Sequence, residues 1–169
     1  MLIRRAFKDE VALLAKLGPE SYRDHYAHLW GADALSRWLD DQFDPVRLAG
    51  ELGSDEVSYQ LLFEGERAVG FAKSVRDQQV PGHPELLGRE LQKIYFLRDA
   101  AGRGLGAHLL DAVIADVRAG DEPLIWLDVV KPNEGGQRFY QRHGFERVGE
   151  LPWATDRGEF GKWLMVRRF

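Results

Sequence analysis

The 169-residue chain contains no cysteine. That excludes disulfide staples, thiolate metal sites and a cysteine nucleophile. No apolar run approaches the ~20 residues that a membrane span needs. The opening stretch from Met1 to Glu10 is charged from Arg4 onward and lacks the apolar centre of a secretory signal. A soluble chain in the cytosol, with no membrane partner, is the expectation. A basic surplus is missing too. Lys and Arg number 23 against 27 Asp and Glu, for a net charge of −4, so the basic face of a nucleic-acid binder is not expected. What remains is ordinary for a globular protein, 44% apolar and 30% charged. Residues 1–169 are long enough for a proper core and are expected to form a single domain. The histidines at 25, 28, 83, 108 and 143 show no ligand spacing, so no metal is expected.

Taken in order, Leu2 to Phe7 reads as a short strand, and Lys8 to about Leu52 reads as helical. Gly18-Pro19 is expected to break that run, and Asp44-Pro45 to open a further helix, with Asp as N-cap and Pro in the first turn. Tyr22, Tyr26, Trp30, Trp38 and Phe43 gather in this region, either as core or as the lining of a cleft. Val57 to Phe63 and Arg67 to Val75 form a hairpin around Gly65. Arg76 to Pro84, with Pro81-Gly82, reads as a loop. A strand follows from Leu86 to Leu97. Leu124 to Val130 is an apolar run suited to a buried strand. Asn133 stands at a helix N-cap, and that helix closes at His143-Gly144. Two last strands, Phe145 to Val148 and Trp163 to Val166, flank a polar loop from Pro152 to Gly161. The order predicts an α/β fold of the α+β type. A central, mostly antiparallel sheet carries one parallel pair and is flanked by helices.

The centre of the chain is Leu91 to Ala119. The strand residues Ile94, Tyr95, Phe96 and Leu97 lead into Gly102-Arg103-Gly104-Leu105-Gly106-Ala107 and then a helix marked by Leu105, Leu109, Val113 and Val117. A glycine turn at a helix N-terminus offers free N–H groups and a positive dipole end, a natural cradle for a phosphate or pyrophosphate. The P-loop pattern is absent, since no Gly-Lys-Ser/Thr follows a glycine turn. Gly102-x-Gly104-x-x-Ala107 does match the dinucleotide form G-x-G-x-x-A, with Asp128 as a ribose-binding acid. Against that, four residues separate the strand from Gly102, and the chain after Asp128 is too short for a doubly wound sheet.

A second pattern lies downstream: Asn133, then Phe139-Tyr140, then Gly144-Phe145. Together with Phe96 to Gly106 it resembles the GNAT superfamily of N-acetyltransferases. Their cofactor motif reads Q/R-x-x-G-x-G/A, and their second motif reads N-x-x-A-x-x-F-Y-x-x-x-G-F. The run Glu90-Leu91-x-Lys93-Ile94-Tyr95 resembles the diamine and spermidine acetyltransferase branch. Two positions depart from the pattern. Ala101 replaces the usual Gln or Arg, leaving Arg103 or Arg98 to supply charge. Gly136, beside Gly135, replaces a small Ala and should cost the helix roughly 1 kcal/mol per residue.

The resemblance implies a GNAT fold and transfer of acetyl from acetyl-CoA to a primary amine of a small molecule, polyamine-like in that branch, within a ternary complex. Gly102 to Ala107 would hold the pyrophosphate. The pantetheine arm would pair with Ile94 to Leu97, the Phe96 N–H would support the thioester oxygen, and Asn133 would bond the arm. Tyr140 would act as general acid toward the thiolate, since a phenol near pKa 10 can protonate a thiolate whose acid is near about 8.5. The amine, with a pKa near about 10, needs a base. Glu90 is the candidate, with Gln92 on the same strand face to hold a water. Dimers are frequent in the family, so a homodimer is a further expectation. A catalytically silent CoA sensor and a nucleotide-dependent oxidoreductase remain as alternatives.

Overall fold

The computed structural model describes residues 1–169. Its elements are β1 Leu2–Arg5, α1 Val11–Tyr26, α2 Ala32–Gln42, α3 Pro45–Gly53, β2 Val57–Glu64, β3 Arg67–Val80, β4 His83–Phe96, α4 Leu105–Ala119, β5 Leu124–Val130, α5 Glu134–Arg142, β6 Glu146–Leu151, β7 Ala154–Thr155, β8 Gly158–Glu159 and β9 Lys162–Arg168. Seven strands make one sheet in the order β1-β2-β3-β4-β5-β9-β6, while β7 and β8 form a separate small hairpin. Every neighbouring pair in the sheet is antiparallel except β4 and β5. This is the mixed sheet expected from the order of elements, with the parallel pair joined through the glycine turn and α4.

Strand alternation sends neighbouring residues to opposite faces, and here both faces are covered. On one, Leu109, Val113 and Val117 of α4 pack with Leu62, Leu91, Ile125 and Leu127. On the other, Leu14, Leu17, Leu39 and Leu48 from α1, α2 and α3 pack with Tyr59, Leu61 and Phe71. Leu61 and Leu62 therefore belong to different cores. Asp44 accepts from the Arg47 N–H at 3.0 Å with Pro45 in the first turn of α3, as expected of that helix start.

The feature that positions everything else is the parting of β4 from β5. They pair only at Arg89↔Ile125 and Glu90↔Trp126. Just beyond, Gln92 is an extra residue in β4, since Lys73 faces Lys93 while Ser74 faces Leu91; such a bulge bends its strand. The base of the resulting V is pinned by the fully buried Arg89, whose guanidinium reaches Glu122, Asp116 at 3.1 Å and the Ser74 hydroxyl at 3.1 Å. A buried cation is tolerated because each of its nitrogens finds an acceptor.

Two sequence expectations need correction. Gly18-Pro19 does not break the helix, for α1 runs from Val11 to Tyr26 with Pro19 inside it. An internal proline costs about 3 kcal/mol. Leu14 and Leu17 before it and Tyr22 after it are buried in the same cluster, each contributing roughly 1.5–3 kcal/mol, so packing wins. Residues 76–84 are not a loop either. β3 continues to Val80 and β4 begins at His83, leaving Pro81-Gly82 as the turn. Bulges around Asp77, whose φ is +52°, and a run of polar residues hide this extension from any periodicity argument.

Candidate active site

Two cavities open where β4 and β5 diverge. One, of about 670 Å³, lies between the end of β4, the glycine turn and the start of α5. The other, of about 360 Å³, lies between the bulged part of β4, the end of β5 and the helices α1 to α3. Tyr26, Ile94, Tyr95, Asn133 and Tyr140 line both, so the cavities meet at these side chains.

The first cavity has a glycine-rich wall along the turn into α4. Gly102, Gly104, Gly106 and Ala107 line it. Gly102 and Gly104 have φ of +73° and +79°, and Gly104 is the residue before the first turn of α4. Left-handed backbone at these two points aims the turn's N–H groups and the helix N-terminus into the cavity, and a Cβ there would be strained. Arg142 and His143, at the end of α5, add cationic and polar groups on the opposite wall. A concave run of amide donors with basic neighbours fits a pyrophosphate.

The β4 edge completes this cavity. Leu97 donates its N–H to Val69 O at 2.9 Å, so that residue pairs directly with β3. In an antiparallel ladder the hydrogen-bonding residues alternate. Tyr95 therefore also faces β3, and the N–H and C=O of Ile94 and Phe96 point the other way, into the gap left by β5. His25 of α1 donates from Nε2 to the Phe96 carbonyl at 2.9 Å, and Asp24 accepts from the Arg98 N–H at 2.8 Å. These contacts hold α1 over the end of β4. The Phe96 N–H remains directed into the cavity.

At the junction, Asn133 does two things. Its Oδ1 accepts from the Gly136 N–H at 2.9 Å, capping α5, and its Nδ2 donates to the Tyr26 hydroxyl at 3.0 Å. A Cβ on Gly136 would come within 2.6 Å of that amide, so the glycine that departs from the pattern makes room for the cap. Tyr26 stacks against Tyr22, centroids 4.9 Å apart, and stands edge-on to Tyr95 at 5.9 Å. The Tyr140 ring is buried among α4-side core residues. Burial, with Tyr26 and Asp128 nearby, raises its phenol well above the ordinary value, so it stays protonated.

The second cavity is charged. Arg47, Lys73, Lys93 and Lys162 line it together with Glu90 and Asp128, with Tyr22, Trp38 and Trp153 as apolar wall. Lys162 pairs with Asp128 at 2.8 Å, which takes Asp128 out of any ribose-binding role. Glu90 lies in this cavity, its Oε2 accepting from Gln92 Nε2 at 2.8 Å. Burial raises the Glu90 carboxyl above its ordinary value, an effect that the Gln92 hydrogen bond partly offsets. Trp153, immediately before the β7–β8 hairpin, walls one end, and the hairpin is tied to the α1–α2 connection. Asp156 accepts from the Gly31 N–H at 2.9 Å, and Trp153 stands edge-on to Trp30, centroids 5.9 Å apart.

Most of the residues singled out from sequence converge here: Glu90, Ile94, Tyr95, Phe96, Gly102, Gly104, Gly106, Ala107, Asn133 and Tyr140. Three do not. Arg103 forks onto Glu64 at 2.7 and 2.9 Å, its side chain half exposed and outside the lining. Leu97 is buried in the α1-side core and Leu105 packs on the α4-side core. Arg98 turns to Asp24. Sequence reasoning missed His25, Arg142, Lys73 and Lys93, and left Tyr26 undecided between core and cleft. Among these, only Arg142 carried a signal, standing inside the Phe139-Tyr140 to Gly144-Phe145 spacing.

Comparison with known proteins follows the same lines. The Acetyltransferase (GNAT) family matches residues 20–145. An uncharacterized N-acetyltransferase of Mycobacterium tuberculosis is 31% identical over 135 residues, 79% of this chain and 81% of that one. An L-methionine sulfoximine/L-methionine sulfone acetyltransferase of Pseudomonas aeruginosa is 25% identical over 130 residues, 75% of this chain and 66% of that one. Among solved structures, the PaiA N-acetyltransferase of Thermoplasma acidophilum in complex with coenzyme A superposes with a TM-score of 0.79 at 18% identity, covering 99% and 98% of the two chains.

Proposed function

Because the chain belongs to the GNAT acetyltransferase family, and so is an acetyl-CoA-dependent N-acetyltransferase, we propose that it acetylates a primary amine of a small molecule by direct attack, with both substrates bound at once. All 169 residues would serve as one catalytic unit. The observation that carries this reading is the meeting of the two cavities at Tyr140, Tyr26 and Asn133. A group delivered through one is within reach of a group held in the other without leaving the protein. That continuity supports direct transfer over a covalent enzyme intermediate, for which the chain has no cysteine in any case.

Acetyl-CoA supplies the acyl group as an activated thioester. The glycine turn holds its pyrophosphate, with Arg142 in place of the Gln or Arg that Ala101 replaces. Ile94 extends its outward-facing N–H and C=O to the pantetheine amides as β5 would have done. The Phe96 N–H donates to the thioester oxygen as negative charge develops there. Asn133 spends its amide on the α5 cap and on Tyr26, so its contribution is to position Tyr26 and the helix. Glu90, with the water that Gln92 helps to hold, takes the proton from the incoming ammonium. Its raised carboxyl makes it a better base at neutral pH than an ordinary one. Tyr140 gives its proton to the departing sulfur as the C–S bond breaks. The second proton, shed by the nitrogen as it becomes an amide, returns to Tyr140 through the cleft, and Glu90 releases the first to solvent.

The small-molecule part of the reading rests on the size of the second cavity, about 360 Å³ and bounded at one end by Trp153. The name of the Pseudomonas relative is consistent with it. The test is thiol release from acetyl-CoA over a panel of amines, with CoA-induced thermal stabilisation measured alongside. Release with at least one amine is expected. Stabilisation by CoA with no release from any amine identifies a silent CoA-binding domain instead, and preference for NAD(P)H over CoA revives the oxidoreductase.

A further inference from the structure

The charges around the second cavity are almost all neutralised from within. Lys162 pairs with Asp128 at 2.8 Å, Lys73 with Glu51 at 2.7 Å, and Arg47 with Asp41 at 3.1 Å. Two groups are left over. Lys93, only 8% exposed, has a single protein partner, the neutral amide oxygen of Gln42 at 3.0 Å. Glu90 has only the neutral amide of Gln92. The bulge at Gln92 puts both on the same face of β4, and both line the cavity.

We propose that this cavity takes an amine that also carries a carboxylate, a zwitterion whose anionic end is held by Lys93 and whose amine faces Glu90. The proposal rests on the acetyltransferase reading above and names its acceptor class. Its physical basis is that a buried ammonium without a counter-ion is an unfavourable arrangement, relieved when an anion arrives. The groups around Lys93 do not supply one. Gln42 of α2 is neutral and the Phe43 ring is 5.9 Å away. Glu51 of α3 is committed to Lys73 of β3, and Arg47 of α3 adds repulsion. Burial and Lys73 together pull the Lys93 ammonium down to about 8, with Glu51 and Glu90 only partly opposing them. A ligand carboxylate restores the pairing. A polyamine, the acceptor suggested by the Glu90 to Tyr95 run, would bring further positive charge to a wall that already holds an unneutralised cation.

The test compares kcat/KM for pairs of amines that differ only in the carboxylate, an α-amino acid against the amine left by its decarboxylation, in the wild type and in Lys93→Met. The wild type is expected to prefer the carboxylated member at least ten-fold in one or more pairs. Lys93→Met is expected to bring that ratio close to one through KM for the amino acid, while CoA still raises its melting temperature. If the Met variant does not fold, Lys93→Gln is measured in its place. Acetylation of decarboxylated amines as efficiently as of their amino acids, or an unchanged ratio in the folded variant, overturns the proposal and leaves the acetyltransferase reading intact. Absence of thiol release from every amine overturns both.

Discussion

On the α5 side of the cleft eight of the eighteen lining residues are glycine or alanine, clustered at the turn into α4 and at Gly135-Gly136. On the α1–α3 side the wall is lysine, arginine, carboxylate and indole, drawn from six elements and a loop. The two cavities share one junction yet obey different physics. The first binds through N–H groups fixed by chain geometry, so glycines at set spacings suffice to build it. The second binds through side chains whose charges must balance across strands and helices remote in sequence. A fold can keep the first nearly constant while changing the second freely.

That contrast can be broken at the junction first. Tyr140→Phe should lower kcat by about 10²–10⁴-fold, the usual worth of a positioned acid. Thermal stabilisation by CoA should persist, because the ring still fills its site. Equal loss of both would move Tyr140 from the chemistry to the binding of one arm. Next comes Glu90→Gln, with an expected loss of about 10²-fold in kcat/KM for the amine. A base works only when ionised, and burial holds Glu90 above its ordinary value. Activity should therefore fall as pH drops through that raised value, and the Gln variant should lack this acid limb. A limb that survives the substitution assigns the titration to another group.

Smaller effects sharpen the comparison from each side. Gly104→Ala meets no steric obstacle but forces a Cβ onto left-handed backbone, at a cost of roughly 1–2 kcal/mol. It should lower the melting temperature by a few degrees and raise KM for acetyl-CoA about ten-fold, with KM for the amine unmoved. Asp156→Ala removes the bond between the β7–β8 hairpin and Gly31, worth roughly 0.5–1.5 kcal/mol. It should raise KM for the amine a few-fold and leave acetyl-CoA untouched. If either variant affects both substrates alike, the two arms are coupled more tightly than their construction implies.

The same division explains what could be read from the residues alone. The glycine turn, the Asn133 cap, Tyr140 and the strand through Phe96 were legible because local backbone requirements leave fixed spacings. The acceptor side was not. Lys93 faces the cavity only because Gln92 is bulged, and no sequence rule places that bulge. Tyr26 is at the end of a helix that ought to have stopped at Pro19, and only tertiary burial carries the chain that far. The charged hairpin extension of β3 and β4 reads as loop because its pairing partners are polar. Glu90 was found, but its lack of an ion-pair partner emerges only when every other pair has been matched in space.

The short pairing of β4 with β5 gives the sheet an edge inside the molecule rather than at its rim. Open strand edges ordinarily invite unwanted partners. Here α1, α5 and the glycine turn wall the edge off, so it admits a slim extended chain and little else. Backbone amides at such an edge belong to the least protected part of a sheet. The Ile94 and Phe96 amides should therefore exchange with deuterium faster than those of Tyr95 and Leu97, their neighbours in the β3 ladder, and should slow when CoA is added. Alternating exchange rates along one strand would mark where a small molecule takes the place of a missing strand.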